Sequence, residues 1–376
     1  MEKLIYLDHG ATTQVDNRVL NKMLPYFSIN YGNASSAYFL GRKSKRALEE
    51  AREIVASNIG ANHKEIYFTS CGSESDNLAL KGIAYANKYR GKHIITSKIE
   101  HPAILNTCKT LEQQGFNITY LNVDKNGFIS LEELENSIRV DTILISIMFA
   151  NNEIGTIQPI EKIGRIAKMN NVYFHTDAVQ AIGNIKINVK ELGVDLLSMS
   201  AHKFYGPKGV GALYVREGVN FERVQDGGHQ EKGKRSGTEN VPGIVGLAES
   251  IKYSYKEFEH SNSKILSLRT YFINKLKENF SDIKINGDLE KRLPGNINVS
   301  FPNVDGTQLL LQLDEYGICA SAGSACSTGS SKPSHVLTSI GLSKEEAFGT
   351  LRFTLGKENT KQEVDYTIKI LKKALT

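Results

Sequence analysis

Seven short runs of β-branched and apolar residues, recurring between stretches of helical periodicity, constrain this chain more than any other feature. They are EIYFT (65–69), HIITS (93–97), NITYL (117–121), TILISIMF (142–149), VYFHT (172–176), LLSMS (196–200) and GALYV (211–215). Several are apolar throughout, and a strand tolerates that only when both its faces are covered. Helical spacing with charged outer faces occupies 41–59, 75–90, 101–114, 131–138, 160–170, 243–260 and 262–280, and returns near 343–350 and 360–375. Strands alternating with helices predict an α/β fold with a mostly parallel seven-stranded sheet between helices. After about residue 256 long helices with few strands, INVSF (297–301) and LRFTL (351–355), predict a smaller α+β domain. The 376 residues are expected to divide into a large domain over 14–256 and a small one made of 1–13 and 257–376.

Composition excludes several function classes. Hydrophobic residues are 40% and charged residues 23%, so fibrous, collagenous and wholly disordered readings fail. The net charge of +5 is thinly spread, with no run of consecutive Lys/Arg longer than two, and predicts no direct stable nucleic-acid binding. No apolar stretch approaches the ~18–20 residues that span a bilayer, and the start, MEKLIYLDHGATT, lacks the layout of a signal peptide. A cytoplasmic protein without membrane contact is expected. Four cysteines (Cys71, Cys108, Cys319, Cys326) without a CxxC pair suit a reducing compartment, and metal-ligand spacing is absent.

Ten of the 32 glycines fall between Gly206 and Gly246, where an even spread would place about three or four. Backbone freedom or close approach is needed there. Inside this tract Gly228-His-Gln-Glu-Lys-Gly233-Lys234 matches a phosphate-binding P-loop up to its lysine, but Arg235 stands where the metal-binding Ser/Thr belongs. A dinucleotide fingerprint also fails, because Gly209-Val-Gly211 is followed by Ala-Leu-Tyr214 without a third glycine. A loop of about 320–333 contains ASAGSACSTGSS (320–331), a composition that favours flexibility, with Cys326 inside it.

Ligands of open α/β sheets bind at the carboxyl ends of strands, and four such ends carry suitable chemistry. Ser70-Cys71-Gly72-Ser73 precedes a helix; its N–H groups suit an anion, or Ser73 simply caps the helix at or near its start. Glu100-His101-Pro102 offers a histidine that is either packing or catalytic. Asp177 ends the run FHTD; it either caps the next turn or holds a protonated heterocyclic nitrogen, a role that needs a shielded negative charge. Lys203, at the end of LLSMSAHK, is a solvated lysine or a partly desolvated amine nucleophile. Phosphate cradle, ring-nitrogen acid and imine-forming lysine, in that order, are what a pyridoxal phosphate site requires.

The chain resembles the NifS/IscS-like cysteine desulfurases, of the class-V aminotransferase family and pyridoxal phosphate fold type I. The likeness runs over nearly the whole length: LIYLDHGATT (4–13), YGNASS (31–36), SCGSESDN (70–77), EHPAIL (100–105), NNEIGTIQPI (151–160), FHTDAVQAIG (174–183), SMSAHKFYGPKGVGALYVR (198–216), RSGTEN (235–240), SAGSACSTG (321–329) and SHVLTSIG (334–341). It implies that Lys203 forms the Schiff base with pyridoxal 5'-phosphate, Asp177 pairs with the ring nitrogen, Gln180 and Asn152 contact the ring hydroxyl region, and His101 stacks on the ring and moves protons. Gly72, Ser73, Ser200 and His202 would bind the phosphate, joined by Thr238 of a neighbouring subunit in a homodimer. Asn152 and Arg352 would hold the carboxylate of L-cysteine, and Cys326 would be the nucleophile that takes the sulfur as persulfide. Sulfur acceptors implied by the family are an iron–sulfur scaffold or a tRNA sulfurtransferase. No resident metal is implied, Cys326 being a candidate transient iron–sulfur ligand.

Three positions depart from the family pattern: Cys71 for a small residue, Ser73 for threonine, and His229 in GGHQE for a third glycine. Cys108 reads as core and Cys319 as a strand edge. Competing readings are a selenocysteine lyase or another pyridoxal phosphate enzyme of the family, an aminotransferase, which would not need Cys326, and an idle scaffold.

Overall fold

The computed structural model describes residues 4–322 and 332–375. All seven predicted runs are strands, and all seven join one sheet. After β1 (Ile5–Tyr6), these are β2 (Ile66–Thr69), β3 (His93–Ser97), β4 (Asn117–Leu121), β5 (Thr142–Ser146), β6 (Tyr173–Asp177), β7 (Leu196–Ser200) and β8 (Gly211–Val215). Their order is β2-β8-β7-β6-β5-β3-β4. Only β8 runs against the others, forming antiparallel ladders with β2 and β7. The strand ends at Ser146 within the run TILISIMF; beyond it Ile147 and Phe149 still donate to the β6 carbonyls of His175 and Asp177, while the Glu100 carboxylate takes the N–H of Met148 at 3.0 Å.

Side chains alternate across a strand, and neighbours in these strands enter different cores. Ile145, Phe174, Leu197 and Met199 pack on one face with the helices Phe39–Asn58, Ile160–Met169 and Val241–Lys256. Leu144, Leu196 and Leu213 pack on the other with the helices Gly72–Asn87 and Pro102–Gln113. Strands covered on both sides need no polar alternation. A separate cluster joins Ile5 and Leu7 to Phe272, Leu276, Val299, Phe353 and Leu371. Its framework is the antiparallel sheet of β9 (Lys284–Ile285), β10 (Asn296–Ser300), β12 (Ser321–Ala322) and β13 (Thr350–Thr354), while β11 (Ile318–Cys319) pairs in parallel with β1.

The helical expectations over 41–59, 75–90, 160–170 and 262–280 correspond to Phe39–Asn58, Gly72–Asn87, Ile160–Met169 and Phe258–Asn279. The periodicity missed the helix Gly306–Glu315, which Asp305 starts by accepting from the N–H groups of Thr307 and Gln308. It also missed the short helices Asn17–Met23 and His335–Ser339. Among the described residues, no helix is long and apolar enough to cross a membrane.

The glycine-rich tract is held by a buried ion pair. Arg52, on the inner face of Phe39–Asn58, donates to Glu231 at 2.7 and 2.8 Å, and Glu231 also accepts from the N–H of Phe68. Glu231 and Lys232 have positive φ (45° and 58°), so the pair holds backbone in a conformation these residues resist. Glu231→Gln leaves the buried Arg52 with only the half-exposed Glu49, at 3.5 Å, as counter-charge and is expected to cost about 3 kcal/mol, read as a lowered midpoint of denaturant unfolding. Gly211 answers a different need: a Cβ there would lie 2.7 Å from Met199 O and 2.8 Å from the Cys71 carbonyl carbon.

Candidate active site

Parallel strands place the loops that follow them on one edge of the sheet. At that edge a cavity of about 250 Å3 is lined by Gly72, Ser73, His101, Asn152, Asp177, Gln180, Ser200, His202, Lys203 and Arg352. Thus ten of the twelve site residues expected from sequence line one space, drawn from segments as far apart as 72 and 352. Thr238 is exposed and borders a different cavity with Ser70, Glu231 and Arg235. Cys326 lies outside the described residues.

The anion cradle is the start of Gly72–Asn87, a helix with four turns of aligned peptide dipoles behind its free N–H groups. Cys71, not Ser73, occupies the N-cap, in extended conformation and without a side-chain cap bond; Ser73 is the second residue of the first turn. Glu74 steadies this start instead, accepting from the N–H of Ser70 at 2.7 Å and pairing with Arg235. Ser200, at the end of β7, is 2% exposed, and its Oγ has no partner. An unsatisfied buried hydroxyl costs free energy, so a ligand oxygen in the cavity would remove a penalty.

His101 caps the helix Pro102–Gln113 through Nδ1, which accepts from the N–H of Ala103 at 3.1 Å. A neutral ring therefore carries its proton on Nε2. Burial holds its pKa below the usual histidine value, Asp177 opposing and Lys203 and His335 reinforcing. His202 is likewise pushed down, to about 4, by burial and then by Lys203 and Lys208. Both rings are available as bases or neutral donors.

Asp177 is 6% exposed and caps the turn after its strand, Oδ1 accepting from the N–H of Val179 at 2.9 Å; it also lines the cavity. Burial raises its pKa, while His101 and Lys203 pull it back down. Lys203 sits in the turn Ala201–Lys203 and donates from Nζ to Gly10 O at 2.6 Å and Ala11 O at 2.7 Å. Gln180 Nε2 donates to Gly10 O at 3.0 Å. Arg352, on β13, is 1% exposed; its guanidinium reaches Asp8 Oδ1 (2.8 Å), Ser321 Oγ (3.2 Å) and Asn152 O (3.0 Å), leaving Nε without a partner.

Sequence reasoning did not find Asp8, the carbonyls of Gly10 and Ala11, or Asp76, another cavity-lining acid. The segment LDHGATT carried the signal for the first three, but not its direction of contact. Of the other thiols, Cys108 is fully buried, and burial pushes its pKa up to about 12. Cys319 lies in β11, its thiol also raised by burial, and Cys71 lines the cavity. Among the described residues no group of three His, Cys, Asp or Glu could hold a metal ion.

Comparison with known proteins agrees with this arrangement. The family model for aminotransferase class-V matches residues 5–367. A cysteine desulfurase IscS of Clostridium botulinum is 52% identical over 377 aligned positions, covering 100% of this chain and 95% of that protein. A cysteine desulfurase IscS of Methanosarcina thermophila is 54% identical, covering 98% and 91%. A solved NifS-like protein superposes with a TM-score of 0.94 at 43% identity, covering 99% of each chain. Members of this family use pyridoxal phosphate. The fold, the cavity at its strand ends and these likenesses agree: the chain belongs to the class-V aminotransferase family, within its NifS/IscS-like cysteine desulfurase branch.

Proposed function

We propose that this enzyme, as a cytoplasmic homodimer loaded with pyridoxal 5'-phosphate, converts L-cysteine to L-alanine and leaves the sulfur as a persulfide on Cys326. The observation that carries the reading is that a half-buried lysine, a buried strand-end carboxylate and a helix-start anion cradle line the same cavity. The residues fit the cofactor: Ser200 Oγ is an orphaned buried hydroxyl beside free N–H groups, which suits a phosphate. Asp177 suits a protonated ring nitrogen. When bound, the cofactor supplies an electron sink for a carbanion at the substrate Cα.

The chain's own residues then divide the work. Gly72, Ser73, Ser200 and His202 hold the phosphate, with Thr238 of the neighbouring subunit completing the cradle. Gln180 and Asn152 would hold the ring hydroxyl region, and His101 would pack on the ring and carry protons. Lys203 would hold the cofactor through Nζ and would move the proton at the substrate Cα. Asn152 and Arg352 hold the substrate carboxylate, for which Arg352 keeps an unpartnered Nε. The Cys326 thiolate attacks the substrate sulfur; the Cβ–S bond breaks with its electron pair left on the carbon side, which is protonated to the methyl group of alanine. The balance is cysteine plus enzyme thiol giving alanine plus enzyme persulfide. The persulfide sulfur passes to an iron–sulfur scaffold or a tRNA sulfurtransferase, Cys326 serving as a transient iron–sulfur ligand in the first case. The large unit is 14–256 and the small unit 1–13 with 257–376, a division supported by the helix break between Lys256 and Phe258.

Protein loaded with pyridoxal phosphate and given L-cysteine with a thiol reductant is expected to release alanine and sulfide in equal amounts. No alanine from a loaded protein overturns the reading. Light scattering is expected to report twice the 41.7 kDa chain mass.

A further inference from the structure

The cavity wall contains an ionisable group with no role in the scheme above. Asp76 lies one helical turn beyond Gly72 in Gly72–Asn87, on the same face. It lines the cavity, is 1% exposed, and its Oδ1 has no hydrogen-bond partner. The basic atom nearest to it, His175 Nε2, stands 3.7 Å away, beyond hydrogen-bond reach. That ring is already engaged, Nδ1 with Ser146 Oγ at 2.9 Å and Nε2 with Ser198 Oγ at 3.0 Å. Burial pushes the His175 pKa to about 3, so the ring is neutral near pH 7 and supplies no counter-charge.

His175 and Asp177 project to the same face of β6, the face covered by Gly72–Asn87. Asp76 and Asp177 therefore line one cavity and act on each other by charge; Glu100 and Cys71 also raise the Asp76 pKa, while a hydrogen bond from Ser198 lowers it. None of these is a cation. Asp177, by contrast, faces His101 and Lys203. Two neighbouring carboxylates in a dry wall cannot both ionise cheaply, and the one with cationic company ionises first. Burial and then the charge of Asp177 raise the Asp76 pKa well above the usual carboxylate value, which agrees with that order.

We propose that Asp76 is a positioning residue that carries the one proton shared by the Asp76–Asp177 pair, so that Asp177 alone presents negative charge to the cavity. The proposal rests on the reading of Asp177 as partner of a ring-nitrogen cation. Its consequence is a wall of charge minus one, matched to a single cation. A doubly ionised wall would be unstable without ligand, and a doubly protonated one would leave the ring nitrogen without an anion.

The test compares full-length wild type, Asp76→Asn and Asp177→Asn. The amide imitates a protonated Asp76 but cannot ionise. A raised acid destabilises the fold increasingly as pH climbs above its unfolded value of about 4. In cofactor-free protein the melting temperature of wild type is therefore expected to match the trend of Asp76→Asn near pH 5 and to fall away from it by about 2 °C or more toward pH 9. At pH 7, Asp76→Asn is expected to bind pyridoxal phosphate, followed by visible absorbance, within about threefold of wild type. Asp177→Asn is expected to lose at least tenfold. Parallel melting curves from pH 5 to 9, or an affinity loss in Asp76→Asn equal to that in Asp177→Asn, overturn the proposal. If Asp76→Asn fails to fold, Asp76→Ser replaces it with the same readings. A wild type that binds no pyridoxal phosphate sinks the underlying function, while the melting comparison still decides where the proton resides.

Discussion

Lys203→Ala is expected to yield a folded protein that cannot hold pyridoxal phosphate covalently and makes alanine at least about 10³-fold more slowly. The lysine is placed with little freedom: β7 ends at Ser200, the turn Ala201–Lys203 follows, and Nζ is directed at the carbonyls of Gly10 and Ala11. Two carbonyl oxygens, at 2.6 and 2.7 Å, fix the position of Nζ at the edge of the cavity. Truncation leaves two carbonyls facing a cavity of about 250 Å3 that water can enter, so the fold survives. Borohydride treatment followed by peptide mapping checks the site. Wild type is expected to carry the label on Lys203 and the variant none. A label of equal yield on another lysine, or alanine production within tenfold of wild type, would sink the assignment.

Cys326→Ala is expected to keep the visible absorbance of the loaded protein and to lose persulfide, with alanine formation falling on the order of 10³-fold or more. The cofactor residues do not include this thiol, so binding and chemistry separate cleanly. The remaining cysteines offer no replacement of equal character. Cys108 is sealed in the core with its pKa pushed up to about 12, and Cys319 is held in β11 with its thiol raised by burial. Cys71 lines the cavity as the cap of the cradle helix, so Cys71→Ala is the control and is expected to leave persulfide yield within about twofold of wild type. Undiminished alanine release by Cys326→Ala would remove the thiolate step from the mechanism.

The legible part of this fold was local in kind. Runs such as TILISIMF and GALYV are too apolar to face water, and their alternation with helical segments fixes a covered sheet before any contact is known. Site residues were legible where chemistry sits at a strand end, as with Asp177 and Lys203. Legibility dropped where two residues compete for one position. Ser73 had the chemistry of a cap, but Cys71 holds that position and Glu74 supplies the bond. The P-loop spacing in 228–235 proved structural, its Arg235 paired with Glu74 and no helix of the α type starting before Val241. Half of the ten crowded glycines, from Gly209 to Gly237, have positive φ, which the sequence could suggest only as crowding.

Sequence by itself determined that the chain builds a mostly parallel sheet covered on both faces, and that a lysine, an acid and an anion cradle stand at its strand ends, because periodicity and strand-end chemistry are properties of neighbouring residues. Tertiary structure decided which distant groups set their behaviour. Arg352 meets Asp8 across 344 positions, Lys203 meets Gly10 across 193, and Asp76 comes to line one cavity with Asp177 through the packing of one helix on one strand. Charge state in a buried site depends on every dipole and ion within a few ångströms, and in a folded chain those neighbours are chosen by topology rather than by adjacency.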